Sequence, residues 1–451
     1  MRILWVATKA PTPITDGGRA VMLATIEALA AFGDARVTVV TPLPIEGDPG
    51  GDFEGSKSIG NPTIVRSIHE NTRFLHTSSY FLDWPNSIVR SFRSGRPVSV
   101  ERHGHAPLAA RVAALLRDEP PFDVVHSEQL QALPIAEPAR RAGVACVLRA
   151  QNVESAVWDA SASESPAWRA AAMRVEARRL RRFEGEVIDG VDATITLSPD
   201  DATAFAKLCP PAAARITTVP PPIPSAWLSR GDGAGEGGQQ ATFMWIGSSG
   251  WAPNDAARQW LLDDIWPAIS ARLPDARLHV FAGEASARDR READGGTRHD
   301  GGVIEKGAEA GEMWREPSAW RGSIAWRGAP RESAEAFVPG GILLIPMRSA
   351  AGVRMRVLEA WARGVPVIAS PAAIAGLDAE NGRDVLVAAD GRAFAEAAAR
   401  VAGEPSLRAR LVEEGRATLA RRHDPKRIAE ATLEVYRQAI ERRRTRQGNG
   451  R

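Results

Sequence analysis

Residues 352–370 read Gly352-Val353-Arg354-Met355-Arg356-Val357-Leu358-Glu359-Ala360-Trp361-Ala362-Arg363-Gly364-Val365-Pro366-Val367-Ile368-Ala369-Ser370. They follow the apolar run Gly341-Ile342-Leu343-Leu344-Ile345-Pro346, which reads as a buried parallel strand. A strand, a helix start, a short turn and a second apolar strand, in that order, are the repeating unit of an α/β sheet. The first free N–H groups of such a helix and its dipole favour an anionic, phosphate-bearing ligand. Arg354 and Arg356 supply guanidinium forks for phosphate oxygens. Glu359, one turn further in, suits sugar hydroxyls, as the acidic residue of dinucleotide folds takes a ribose. A surface helix with scattered charges is the plainer alternative, and the buried strand ahead of it argues against that.

Working outward, strands alternate with helices twice over. Strands are predicted near 2–8, 35–41, 122–126, 144–149, 191–197 and 214–219, then near 241–246, 276–281, 323–326, 341–345 and 365–369. The fold class is therefore α/β, with two doubly wound parallel sheets. Between the halves, 229–240 is rich in Gly without apolar periodicity and reads as a linker. Residues 46–61 and 284–318 are polar and Gly-rich and read as surface loops or insertions.

A chain of 451 residues exceeds one ordinary core, which agrees with two domains. Its formal net charge of +2 excludes a nucleic-acid footprint as the main theme. Cys146 and Cys209 are the only cysteines and give neither a disulfide framework nor a zinc site. The amino terminus reads as a strand rather than a signal peptide, and no apolar run approaches the roughly 20 residues of a membrane span. A cytoplasmic location is expected.

Polar residues gather where predicted strands end. Gly17 and Gly18 precede a helical pattern and allow backbone to approach a ligand, although they form neither a dinucleotide fingerprint nor a phosphate loop. His126 ends one strand, and Gln151, Asn152 and Glu154 follow the next, so the four share the carboxyl edge of one sheet. A structural His is the plain alternative for His126. In the second half, Gly247 and Ser248 follow the first strand, and Arg327 and Gly328 follow a later one. The indole of Trp326 is expected in the core.

The stretch from Gly352 resembles the donor-site signature of retaining nucleotide-sugar glycosyltransferases of the GT-B fold, family 4. The second Glu of that family's Glu-x7-Glu element matches Glu359, while the first falls on Ala351. Gly352-Val353-Arg354-Met355-Arg356 is similar to the bacterial Gly-x-Arg-x-Lys version, with Arg for Lys. Gly247-Ser248-Ser249-Gly250-Trp251-Ala252-Pro253-Asn254 is similar to the Gly-Ser-x-x-Trp-x-Pro-Asn segment of transferases linked to capsule and exopolysaccharide loci. Gln151 stands where the family commonly has His; it can hold a hydroxyl but cannot shuttle a proton.

The resemblance implies two Rossmann-like domains facing a cleft. Residues 1–228 would form the acceptor-side domain, 229–240 the linker, 241–428 the donor domain, 429–443 a terminal helix crossing back, and 444–451 a disordered basic tail. Arg354, Arg356 and Glu359 would be catalytic. Gly247, Ser248, Arg327, Gly328, Gly352, Val353 and Leu358 would contact the donor, and Gly17, Gly18, His126, Gln151, Asn152 and Glu154 the acceptor side. The implied reaction moves a sugar, with retention, from a UDP- or GDP-linked donor to a hydroxyl of a lipid-linked or polysaccharide acceptor, with no metal or other cofactor. A degenerate scaffold and an epimerase or hydrolase on the same architecture are the alternatives. The arginines between Trp168 and Asp189 have helical spacing, and read either as a solvated face or as a surface that approaches anionic lipid in peripheral membrane contact.

Overall fold

The structure, a computed structural model, describes the chain except residues 13, 15, 43–63, 67–70, 78–83, 104, 164, 229–240, 248–251, 283–323, 329, 331–332, 350–351 and 449–451. The expected linker and both expected surface segments lie outside the described residues, as do Ser248 and Ala351. The chain divides into two compact units. One comprises Met1–Pro224, Ala351–Val353 and His423–Arg451, the other Ser225–Ala350 and Arg354–Arg422.

The first unit carries β1 (Arg2–Val6), β2 (Arg36–Pro42), β3 (Ile64–Arg66), β4 (Thr72–Thr77), β5 (Val124–Glu128), β6 (Ala145–Ala150), β7 (Ala193–Thr196) and β8 (Ile216–Thr218). Their order across the sheet is β3-β4-β2-β1-β5-β6-β7-β8, parallel throughout except for the antiparallel edge strand β3. The second unit carries β9 (Thr242–Ile246), β10 (Arg277–Phe281), β11 (Ile324–Arg327), β12 (Ile342–Ile345), β13 (Val367–Ala369) and β14 (Leu386–Val387), all parallel, in the order β11-β10-β9-β12-β13-β14. Central strands such as β12 are buried along their whole length, because helices cover both faces of a parallel sheet. In each sheet the winding reverses beside the first strand, at β1/β5 and at β9/β12. Ligands of open α/β sheets bind at the carboxyl ends of the strands at such a reversal.

Five helices carry the argument: α1 (Gly17–Phe32), α2 (Trp84–Ser94), α3 (Ala167–Gly190), α4 (Met355–Ala362) and α5 (Pro425–Gly448). Asp16 opens α1, its side chain accepting the Arg19 N–H at 2.9 Å, which satisfies a free donor of the first turn. α5 packs on the first unit, where Ile428, Leu433, Val435 and Tyr436 join Trp5, Met22, Ile26 and Leu29 in one core.

Three expected boundaries move. The first unit ends at Pro224 rather than 228, since the helical turn Ser225–Leu228 belongs to the second unit. The return to the first unit starts at His423 rather than 429, where the His423 Nδ1–H lies 2.7 Å from the Pro221 carbonyl oxygen. The expected disordered tail is helical to Gly448, because Arg442, Arg443, Arg446 and Gln447 bond backbone and carboxylate oxygens of the first unit.

Candidate functional site

In the second unit, β12 delivers the chain to the loop that opens α4. Arg354 is the residue before the first turn of α4, with φ −81° and ψ 89°, and its own side chain does not cap that turn. Gly352 just upstream has φ 66°, a conformation that suits glycine. The half-buried Arg354 guanidinium donates to the Ser349 carbonyl at 3.3 Å; burial lowers its pKa to about 10, so it stays charged at neutral pH.

Glu359 sits one turn further on and is buried. Its Oε2 accepts from Arg356 Nη1 at 2.6 Å, and its Oε1 accepts from Arg363 Nε and Nη2 at 3.1 and 3.0 Å and from the Ser333 hydroxyl. The spacing explains the pairing, since residues three and four apart share a helix face. The two arginines differ. Arg363 is buried with its guanidinium 5.2 Å over the Phe337 ring, whereas the Arg356 side chain keeps 31% of its surface. Arg356 and Glu359, expected to serve different parts of a ligand, are thus joined to each other.

Two of the other expected donor contacts, Leu358 and Gly247, are placed differently. The Leu358 side chain is fully buried in the core, because the face of α4 that carries it is the apolar one. The Gly247 N–H is taken up by the Phe281 carbonyl at 3.0 Å, so it continues the sheet instead of facing a phosphate. Glycine is required there by the Trp245 ring, which a Cβ would meet at 2.4 Å. Arg327 ends β11 with its Nε donating to His279 Nδ1 at 3.3 Å, and Gly328 beside it is exposed. That bond places the His279 proton on Nε2, and burial followed by the Arg327 charge lowers its pKa to about 4. Val353 is half-buried and Trp326 packs partly buried against the core.

In the first unit the carboxyl edge holds two layers of polar residues. The inner layer is sealed. His126 is fully buried, stacks on Trp5 at 3.7 Å between centroids and lies 2.7 Å from the Tyr436 hydroxyl of α5. Burial lowers its pKa to about 4 against the pull of Glu128, leaving a neutral ring. His126 therefore cannot touch an acceptor, because its strand turns it towards the face that α5 covers.

Glu128 lies beside it, bonded by Arg149 through Nε at 3.2 Å and through Nη2. Arg149 also donates to the Thr25 hydroxyl of α1, and its guanidinium lies 4.9 Å over Trp5. Burial would raise the Glu128 pKa, but Arg149 outweighs it and holds the group near 2.

Gln151 ties this layer to α1. Its Nε2 donates to Glu128 Oε1 at 2.7 Å and to the Gly18 carbonyl at 3.2 Å, and its Oε1 accepts from Gln129 at 2.7 Å. Its amide is spent on the protein rather than on a substrate hydroxyl. Gly18 must be glycine, since a Cβ would lie 2.5 Å from Gln151 Oε1 and 2.9 Å from Lys9 Nζ.

The outer layer is more open. Lys9 pairs with Asp16 at 2.8 Å, next to Gly17. Asn152 and Glu154 are half-exposed, and burial raises the Glu154 pKa against hydrogen bonds from Gln131 and Asn152 and the charge of Lys9. His105 Nε2 lies 2.9 Å from the Gln131 carbonyl, and burial lowers its pKa to about 4; His103, beside it, is lowered to about 3, first by burial and then by His105. Sequence reading missed Lys9, Gln131, His103 and His105 here, and Ser333 and Arg363 in the second unit. Only Arg363, four residues after Glu359, carried a usable signal. Among the described residues no three His, Cys, Asp or Glu come together to hold a metal ion, and no helix is long and apolar enough to cross a membrane.

Comparison with known proteins adds the following. A family model described as "Glycosyl transferase 4-like domain" matches residues 16–222, and one described as "Glycosyl transferase-like" matches residues 311–434. No curated protein matches the sequence. Sucrose-phosphate synthase from Thermosynechococcus elongatus is similar in structure, with a TM-score of 0.66 at 14% identity over 98% of this chain and 99% of the other. HepE from Anabaena, solved in complex with UDP-glucose, gives 0.57 at 11% identity over 96% and 99%. WaaG, a glycosyltransferase involved in lipopolysaccharide biosynthesis, gives 0.59 at 15% over 96% and 99%.

Proposed function

Because the chain belongs to the GT-B glycosyltransferases of the family 4 type, we propose that it moves a sugar, with retention, from a nucleotide-sugar donor to a hydroxyl of a lipid-linked or polysaccharide acceptor, on the cytoplasmic side. The observation that carries this reading is the set Arg354, Arg356 and Glu359 at the winding reversal of the second sheet, where the first turn of α4 has no side-chain cap. Two guanidiniums there neutralise charge that builds on a departing diphosphate, so the reaction uses no metal and no further cofactor. A UDP- or GDP-linked donor is the co-substrate; the UDP-glucose held by HepE and the lipopolysaccharide role of WaaG support the choice of donor and acceptor classes.

The paired geometry suggests an order of events. A diphosphate draws the half-exposed Arg356 from Glu359, and the freed Oε2 takes a ribose hydroxyl while Arg363 and Ser333 hold the carboxylate still. Transfer with retention needs no side-chain base, because the departing diphosphate accepts the proton of the acceptor hydroxyl on the same face. Gln151 could not serve as that base, and Gly17, Gly18, Asn152 and Glu154 are left to position the acceptor.

Calorimetric titration against UDP, GDP, ADP and dTDP without added metal tests the proposal. One nucleotide should bind selectively, and Arg356→Ala should abolish the heat. Absence of binding to all four by a folded sample would overturn it in favour of a degenerate scaffold, for which Ala351 and Gln151 would be the marks.

A further inference from the structure

Among the described side chains of α2, Ser87 and Ser91 are fully buried, whereas Ile88, Val89 and Phe92 face outward with exposures of 42%, 48% and 81%. The Ser91 hydroxyl donates to the Arg96 carbonyl at 2.6 Å, a polar contact on the buried side of the helix, while these three apolar side chains are left outside. A helix on a water-facing surface turns such side chains inward.

The turn after α2 is bonded onto α3. Arg179 donates to the Arg96 carbonyl at 2.8 Å, and Glu176 accepts from the Ser99 N–H and hydroxyl at 2.8 and 3.1 Å. The first turns of α3 expose Trp168 and Val175, which are 78% and 55% exposed and share a helix face at a spacing of two turns. Of the seven large apolar side chains exposed among the described residues, five lie on these two helices.

Among the described residues, the exposed charges interleaved with them on α2 and the first half of α3 are all of one sign. Arg93, Arg169, Arg174 and Arg178 are exposed, and no carboxylate among the described residues pairs with them. Among the described residues, the carboxylates of α2, of the turn after it and of the first half of α3, Glu101 and Glu176, are buried and engaged by Arg90 and Arg96 and by Arg179 and Ser99. A tryptophan and aliphatic side chains set among unpaired guanidiniums complement an anionic bilayer, where the apolar groups enter the acyl boundary and the arginines remain at lipid phosphates. A protein partner would need a surface at once apolar and acidic, and the two other large apolar side chains exposed among the described residues, Phe32 and Leu228, stand singly.

We propose that α2 and the first half of α3 form a docking surface for an anionic lipid bilayer. The surface brings the enzyme to lipid-borne acceptors, but its binding is read without turnover and so stands apart from the transfer reaction.

The test is sedimentation of the whole protein with vesicles of phosphatidylcholine alone or with phosphatidylglycerol. The protein should pellet with the anionic vesicles only, and raising the salt from 50 to 500 mM should release it as the Debye length shrinks. Phe92→Ser and Trp168→Ser should each weaken binding by roughly tenfold, and Arg174→Glu should weaken it on anionic vesicles. Phe32→Ser, an exposed apolar site on α1, should bind as wild type. All four positions are exposed, so the variants should fold, which circular dichroism checks. Failure of the folded wild type to bind, or undiminished binding by both Phe92→Ser and Trp168→Ser, would overturn the proposal. So would a self-association in solution that Phe92→Ser abolishes while vesicles leave the protein in the supernatant.

Discussion

Glu128 and Glu359 are each 1% exposed, and each is bonded by arginine at the carboxyl end of a parallel sheet, yet their surroundings give them opposite work. Around Glu128 every partner is buried: Arg149 lies under Trp5 at 3% exposure, and His126 is closed in by Tyr436. Around Glu359 one partner is sealed and the other is not, since Arg363 is buried and Arg356 keeps 31% of its side chain at the surface. The chemistry is the same and the access differs. A fully enclosed pair fixes how strands and helices meet, whereas a pair with one arm in water can exchange its partner for a ligand.

Breaking the enclosed pair should have the largest effect. Arg149→Met leaves Glu128 buried without its cation and should cost about 3–5 kcal/mol in urea unfolding; an unmoved midpoint would mean that water reaches the cluster. At the half-open pair the loss should fall on rate instead. Arg356→Ala should lower turnover about a hundredfold, roughly 3 kcal/mol, while the unfolding midpoint shifts by less than about 1 kcal/mol because Arg363 and Ser333 still hold Glu359. Equal activity in that variant would remove Arg356 from the diphosphate role.

Acid sharpens the contrast next. His126 titrates near 4 in the fold against 6.5 when free, so below pH 6.5 the unfolded chain takes up a proton that the fold refuses, and stability falls as the pH drops towards 4. Glu128 titrates near 2 against 4.5, so the stability it contributes is present above about pH 4.5 and is lost as the pH falls through 2. Unfolding free energies measured from pH 7 to 3 should decline steadily, by a few kcal/mol, with the part below pH 4.5 diminished in Arg149→Met. The smallest effect should be Tyr436→Phe, which removes one hydrogen bond to His126 and should cost about 1 kcal/mol with turnover unchanged.

Among the described residues, eleven of the fourteen strands lie where apolar runs predicted them. The three that reading missed have physical reasons. β14 has two residues, β3 is a short antiparallel edge, and β4, Thr72-Arg73-Phe74-Leu75-His76-Thr77, mixes charge into a strand near the sheet edge. At the loop that opens α4, local spacing suffices to pair Arg356 and Arg363 with Glu359, because residues three and four apart share a helix face. His126 was ambiguous for the opposite reason. Its enclosure depends on Tyr436, 310 residues away, and no local pattern reports which face of a strand a distant helix will cover. Gln151 misled in the same way, since its amide is consumed by Glu128, Gln129 and Gly18 from two separate segments.

The position of α5 has a consequence for biosynthesis. Its apolar residues complete a core begun by β1 and α1, at the other end of the chain. While the ribosome is still making the second unit, Trp5, Met22, Ile26 and Leu29 lack the part of their cover that α5 supplies, and the first unit can finish only after residues 423–448 emerge. The half synthesised first is thus the half that matures last, and a nascent chain arrested near residue 420 would present that unfinished face to chaperones and proteases.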